Sequence, residues 1–139
     1  MGKLFSKGQV AKLLDITPRT VSHYTEQGIV NPEEGPGESR KNRKYSARNL
    51  FEFMIAKELR KNGFDLNTIK DLLQTVGGIK MIGPGKELLV IYDGHTDHGK
   101  AVFTAANKDQ KYTVKMEGYS SAVVIDITDI REKWEKISS

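Results

Sequence analysis

Cysteine is absent from the 139 residues. Without a thiol the chain forms no disulfide and offers no thiolate to a soft metal or an oxidant, so sensing through sulfur is excluded. Long apolar runs are missing too: nothing approaches the ~20 residues that cross a bilayer. The opening Met1-Gly-Lys-Leu-Phe-Ser6 runs straight into a helical pattern rather than a secretory signal, so a cytoplasmic protein with no membrane contact is expected. There is no internal repeat and no low-complexity tract. The formal charge is +4 with an isoelectric point of about 9.2. Residues 1–76 hold 13 Lys or Arg against 9 Asp or Glu, and residues 77–139 hold 9 of each. The positive excess therefore lies entirely in the first half, which would draw a polyanion to that end. A dispersed excess of this size would only keep a protein soluble; its clustering within residues 40–48 gives it weight.

What is present, over residues 6–28, is a pair of short capped helices around a tight turn. Ser6 with Gln9 fits a capping box, Phe5 and Val10 fit a hydrophobic staple, and Val10, Ala11, Leu13 and Leu14 form an apolar stripe. Ile16 closes the turn, Thr17 offers an N-cap oxygen, and Pro18 sits at the first position of the next helix, where its missing N–H costs nothing. That second helix stops near Gly28 and has little apolar content beyond Val21 and part of Tyr24. Its remaining surface is left for a polar partner, the pattern of a DNA-reading helix-turn-helix.

Asn31-Pro-Glu-Glu-Gly-Pro-Gly37 reads as a hairpin tip, and the return segment, residues 39–48, carries five cations and no anion. A hairpin with a basic return strand is a wing. Ser46 then caps a third helix, with Leu50, Phe51, Met54, Ile55 and Leu59 at helical spacing until Asn62-Gly63 stops it. Asp65 caps a fourth, stapled by Phe64 and Ile69, with Leu66, Leu72, Leu73 and Val76 on its buried side.

Taken together, Gln9-Val-Ala-Lys-Leu-Leu14, Pro18-Arg-Thr-Val-Ser-His-Tyr24, Gly28-Ile-Val30, Arg43-Lys-Tyr-Ser46 and the run from Gly63 to Leu73 resemble the MerR family of transcriptional regulators. The resemblance covers roughly the first half of the chain. It implies a homodimer that binds double-stranded DNA at a promoter and distorts it, altering the spacing between RNA polymerase contacts. The chain departs from the family after Val76, where no sustained heptad pattern supplies the usual long pairing helix.

Gly77-Gly78 and Ile82-Gly-Pro-Gly85 mark a linker over residues 77–85, separating a winged-helix domain at 1–76 from a β-rich unit at 86–139. In the latter, residues 88–92, 100–106, 112–116 and 122–127 are four strand-like runs separated by turns. Thr128 or Asp129 can cap a last helix, with Ile130, Trp134 and Ile137 facing the sheet. The expected fold class is α+β: an N-terminal winged helix-turn-helix of four helices and a β wing, followed by a small antiparallel β domain with a C-terminal helix. About sixty residues make a marginal core, so this half leans on the first half or on a second chain, for dimerisation or effector sensing.

In this class of motif the N-terminal turn of the second helix enters the major groove. Arg19 suits bidentate bonding to guanine, and Thr20 offers hydroxyl or methyl to a base edge. Ser22, His23 and Tyr24 stand where the family has Arg-Tyr-Tyr against the DNA backbone. Tyr24 carries over; Ser22 is a weaker donor and His23 is mostly neutral at pH 7, leaving a solvated helix face as their competing role. Arg43 and Tyr45 match wing residues, with packing of the wing onto the core as the alternative for Tyr45, and Arg60 matches a basic position before the glycine that ends the third helix. Arg40, Lys41 and Lys44 suit diffuse phosphate contacts.

The loop holding His95, Asp97 and His98 has the ligand types of a Zn²⁺ or Ni²⁺ site, but a polar hairpin tip looks the same, and no metal or other cofactor is expected. Gly83-Pro-Gly-Lys86 lacks the spacing of a phosphate loop. No catalytic constellation stands out, so the protein reads as a non-enzyme. The competing reading is an architectural DNA-bending protein of the excisionase type, which needs little beyond the winged helix; half of this chain lies outside it.

Overall fold

The computed structural model describes residues 2–35, 43–74, 86–93, 102–107 and 118–138. The expected linker, the wing tip with Arg40 and Lys41, the run at 112–116 and the loop of His95, Asp97 and His98 lie outside the described residues. The fold is mixed, with a helical N-terminal part and a small antiparallel sheet.

Strand β1 (Leu4–Phe5) leads into α1 (Lys7–Leu14). The capping box is formed: Ser6 N donates to Gln9 Oε1 at 2.8 Å and Gln9 N to Ser6 Oγ at 3.2 Å, with Phe5 and Val10 both buried. The helix ends at Asp15 in a left-handed conformation, φ 54°, and Lys57 Nζ donates to Leu14 O at 3.2 Å, a cation on a helix C-terminus. Helix α2 (Pro18–Glu26) starts on Thr17, whose Oγ1 accepts from Thr20 N at 3.0 Å. It stops at Gly28, φ 75°, a conformation that favours glycine.

Strand β2 (Tyr45–Ser46) pairs antiparallel with β1, Phe5 opposite Tyr45, and an isolated bridge joins Glu34 to Lys44. Helix α3 (Ala47–Lys61) opens with a second capping box, Ser46 with Asn49. Asn49 Nδ2 also donates to Asn31 O and to Glu52 Oε1, both at 2.9 Å, tying the segment before the bridge to this helix. Leu50, Phe51, Phe53, Met54, Ile55, Ala56 and Leu59 are all buried, so α3 is apolar on most of its circumference, as a central helix must be. Helix α4 (Leu66–Gln74) starts on Asp65, whose Oδ1 accepts from Thr68 N at 2.7 Å, and buries Ile69, Leu72 and Leu73.

Strands β3 (Leu88–Asp93), β4 (Val102–Ala106) and β5 (Ser121–Asp126) form one antiparallel sheet in the order β4-β3-β5, with Leu89 opposite Ile125 and Val90 opposite Val124. Alternation sends Leu89, Ile91 and Ile125 into the core and leaves Val124 51 % exposed. Helix α5 (Thr128–Ser138) begins at Thr128 itself, one or two residues before the start that a Thr128 or Asp129 cap implies. Asp126 Oδ1 accepts from Thr128 N at 2.9 Å and from Thr128 Oγ1 at 2.6 Å, so Thr128 is spent as a donor. Ile130, Trp134 and Ile137 pack against a core cluster that includes residues of α3. The C-terminal half thus leans on the N-terminal half through α5 and α3.

Candidate nucleic-acid interface

One side of α2 is sealed and the other is open. Val21, Tyr24 and Thr25 are buried, whereas Arg19 and His23 are exposed and Thr20 and Ser22 half-buried. This follows from the sparse apolar content of the helix: a stripe of three residues suffices to dock it on α1 and α3. The Thr17 and Thr20 hydroxyls lie 2.9 Å apart, which orders the first turn.

Beside α2 runs an open groove of about 400 Å³, bounded by Thr17, Arg19, Thr20, His23 and Tyr24 on one side and by Arg60 and Leu66 on the other. Arg60 comes from the end of α3 and is steadied by donating from Nη1 to Phe64 O at 3.2 Å. Two cations that are distant in sequence therefore line one depression, together with hydroxyl and imidazole groups. Tyr24 is stacked on Phe53 with ring centroids 6.3 Å apart and an interplanar angle of 13°. Burial pushes its phenol above the ordinary range, against a smaller opposing pull from Arg60, so it stays a neutral donor at physiological pH. Asp65, at the start of α4, is held below the ordinary carboxylate range, chiefly by the Thr68 N–H, then by the Thr68 hydroxyl, with Arg60 a smaller cause. It stays anionic and partly offsets Arg60.

In the described part of the basic segment the side chains differ in exposure. Lys44 is exposed, but Arg43 is only 7 % exposed and Tyr45 fully buried. Of the two roles open to Tyr45, its geometry fits packing. The ring lies edge-on to Phe53 at 5.4 Å, and its hydroxyl is 2.8 Å from Thr25 Oγ1, which itself donates to Val21 O at 2.8 Å. Neither Arg43 nor Tyr45 presents a face to solvent, because the segment is folded inward at these positions. Thr25 and Asn49 carry much of this arrangement and were not singled out from sequence. The available signal was position: Thr25 lies one helical turn beyond Val21, on the same face.

Among the described residues, no group of three His, Asp or Glu is placed to hold a metal ion, and no helix is long and apolar enough to cross a membrane.

Two short helices about a tight turn, the second with one face sealed and a cationic groove beside it, define a helix-turn-helix DNA-binding protein. Residues 5–76, half of the chain, match the family described as MerR HTH family regulatory protein, and the chain belongs to that family. It is accordingly a DNA-binding regulator of transcription. No curated protein matches the chain.

Proposed function

We propose that the protein is a sequence-specific regulator that acts as a homodimer on a two-fold-symmetric promoter site, with α2 in the major groove and the segment around the Glu34–Lys44 bridge as a wing on the flanking backbone. The observation that carries this reading is the groove, which gathers Arg19, Thr20 and His23 from the open side of α2 with Arg60 from α3, and has the buried Tyr24 at its wall. Arg19 and Thr20 lie on the first turn and read bases; Ser22, His23, Tyr24 and Arg60 lie further back and meet phosphates. On the wing, Lys44 is exposed among the described residues and, with Lys41, supplies diffuse phosphate contact, with Arg40 beside them in the same basic run. Arg43 and Tyr45 support the strand from within.

Mass determination of the free protein combined with a footprint on DNA upstream of its own gene tests this. The expected result is a dimer that protects two half-sites related by a two-fold axis, about one helical turn apart. A monomer protecting a single asymmetric patch refutes the dimeric reading, and uniform weak protection refutes sequence-specific binding.

A further inference from the structure

The C-terminal helix lies beyond the family-matched segment, yet its tryptophan reaches into that segment. Trp134 Nε1 donates to Ala47 O at 2.7 Å, and the indole packs on Phe51 with ring centroids 5.2 Å apart. Arg131, one turn earlier on α5, sits 5.7 Å from the same Phe51 ring. Ala47 is the first residue of α3 and follows β2 directly. A helix carbonyl has a second lone pair beyond its intrahelical bond, and the indole N–H fills it.

From Ala47 the connection continues. Ser46 caps α3 through Asn49, and Tyr45 meets Thr25 of α2 by the paired hydroxyls, with Thr25 bonded on to Val21 O. Trp134 on α5, Ala47 at the start of α3, Tyr45 on β2, and Thr25 and Val21 on α2 thus form one hydrogen-bonded and covalent series across four elements. Its far end lies in the helix that carries Arg19 and Thr20.

We propose that Trp134 is a positioning residue for DNA reading: by holding the Ala47 carbonyl it fixes β2, and through Tyr45 and Thr25 it fixes the angle between the wing strand and α2. This rests on the sequence-specific reading above. A change in that angle that displaces the first turn of α2 by about an ångström spoils base-edge hydrogen bonds while leaving long, flexible phosphate contacts intact. Trp134 therefore governs selectivity rather than general affinity.

The test uses the full-length protein and a DNA site selected by it from a random pool. Trp134→Phe keeps an aromatic ring on Phe51 and removes the donor together with the indole's second ring, whose packing loss appears as stability rather than selectivity. The expected result is a loss of about three- to tenfold in preference for the selected site over random DNA, the span one neutral hydrogen bond commands. The salt dependence is unchanged, since no phosphate contact is lost. Tyr45→Phe lowers the same preference, and the double variant loses less than the two single losses combined, because both substitutions break one series. Trp134 is the only tryptophan, so its emission in the parent protein also shifts as selected DNA saturates, a measurement that needs no substitution.

A Trp134→Phe protein that is less stable yet equally selective makes Trp134 a brace and nothing more, and overturns the proposal. So do strictly additive losses, or an emission spectrum unchanged at saturating DNA. A pool that yields no motif overturns the sequence-specific reading itself, and this inference with it.

Discussion

The paired hydroxyls of Tyr45 and Thr25 permit a quantitative test of how β2 is locked to α2. Thr25 has one hydroxyl proton. Its Oγ1 lies 2.8 Å from Val21 O, which only accepts, and 2.8 Å from Tyr45 Oη. The proton assignment follows: Thr25 donates to Val21, and Tyr45 donates to Thr25. Tyr45 is fully buried and Thr25 9 % exposed, so water does not replace either partner. Tyr45→Phe removes one net hydrogen bond and leaves a Thr25 lone pair unfilled, a cost of about 1–2 kcal/mol. Thr25→Val, similar in shape, leaves the Tyr45 O–H as a buried donor with no acceptor, and costs about 1–3 kcal/mol. In the double variant both polar groups are gone and two apolar surfaces meet. Its loss should fall short of the sum of the singles by about 1 kcal/mol or more. Urea unfolding at one fixed protein concentration measures this, with unchanged slopes required for the comparison. Additivity within about 0.3 kcal/mol would show that the two hydroxyls do not bond, and the account of the lock would be wrong.

Arg19→Ala should cost about 1–3 kcal/mol on the best site and relax preference at one base pair per half-site, read by selection from random DNA. Lys44→Ala should flatten the dependence of log affinity on log salt by about one unit while leaving the selected motif unchanged; Arg43→Ala, at a covered position, should instead lower the unfolding midpoint. The Glu52 carboxyl is pushed above its ordinary 4.5, by burial first, with the Asn49 hydrogen bond and Arg48 opposing. A carboxyl raised in the folded state favours folding while protonated, so its contribution is full below 4.5 and is lost as pH rises through the folded value. Glu52→Gln should therefore flatten the fall in stability over that rise, and an unfolding midpoint whose pH dependence matches the parent's would refute the assignment.

The helix boundaries of the first half were legible because they are written in local chemistry. Ser6 with Gln9, Thr17 with Pro18, and Asp65 before Leu66 each satisfy N–H groups that a helix start leaves open, and such bonds span three residues at most. The last helix starts a residue or two before the expected position because Thr128 is held by Asp126 at the end of β5 and does not itself serve as a cap. The exposure of Arg19 and His23 was legible because it depends on one helix face. The burial of Arg43 was not legible, and for Tyr45 the sequence left packing and DNA contact both open. Whether a residue on a short strand points outward depends on what it meets across the fold, and Thr25 and Phe53 are distant in sequence.

The family match stops at residue 76, but the core does not. Leu89, Ile91, Ile125 and Ile127 join one cluster with Leu50, Phe53 and Leu59. Helix α3 explains why. A helix apolar on most of its surface needs cover on every side, and α1, β2, α4 and α5 all touch it. Phe51 is 5 % exposed, with Trp134 and Arg131 over it; without α5 that ring would face water. The same α3 carries Arg60 at its far end, in the groove beside α2. Strand β5 enters α5 with only Ile127 between them, and Ile127 is fully buried. The sheet is therefore joined to α3 by buried side chains and by a one-residue connection into α5.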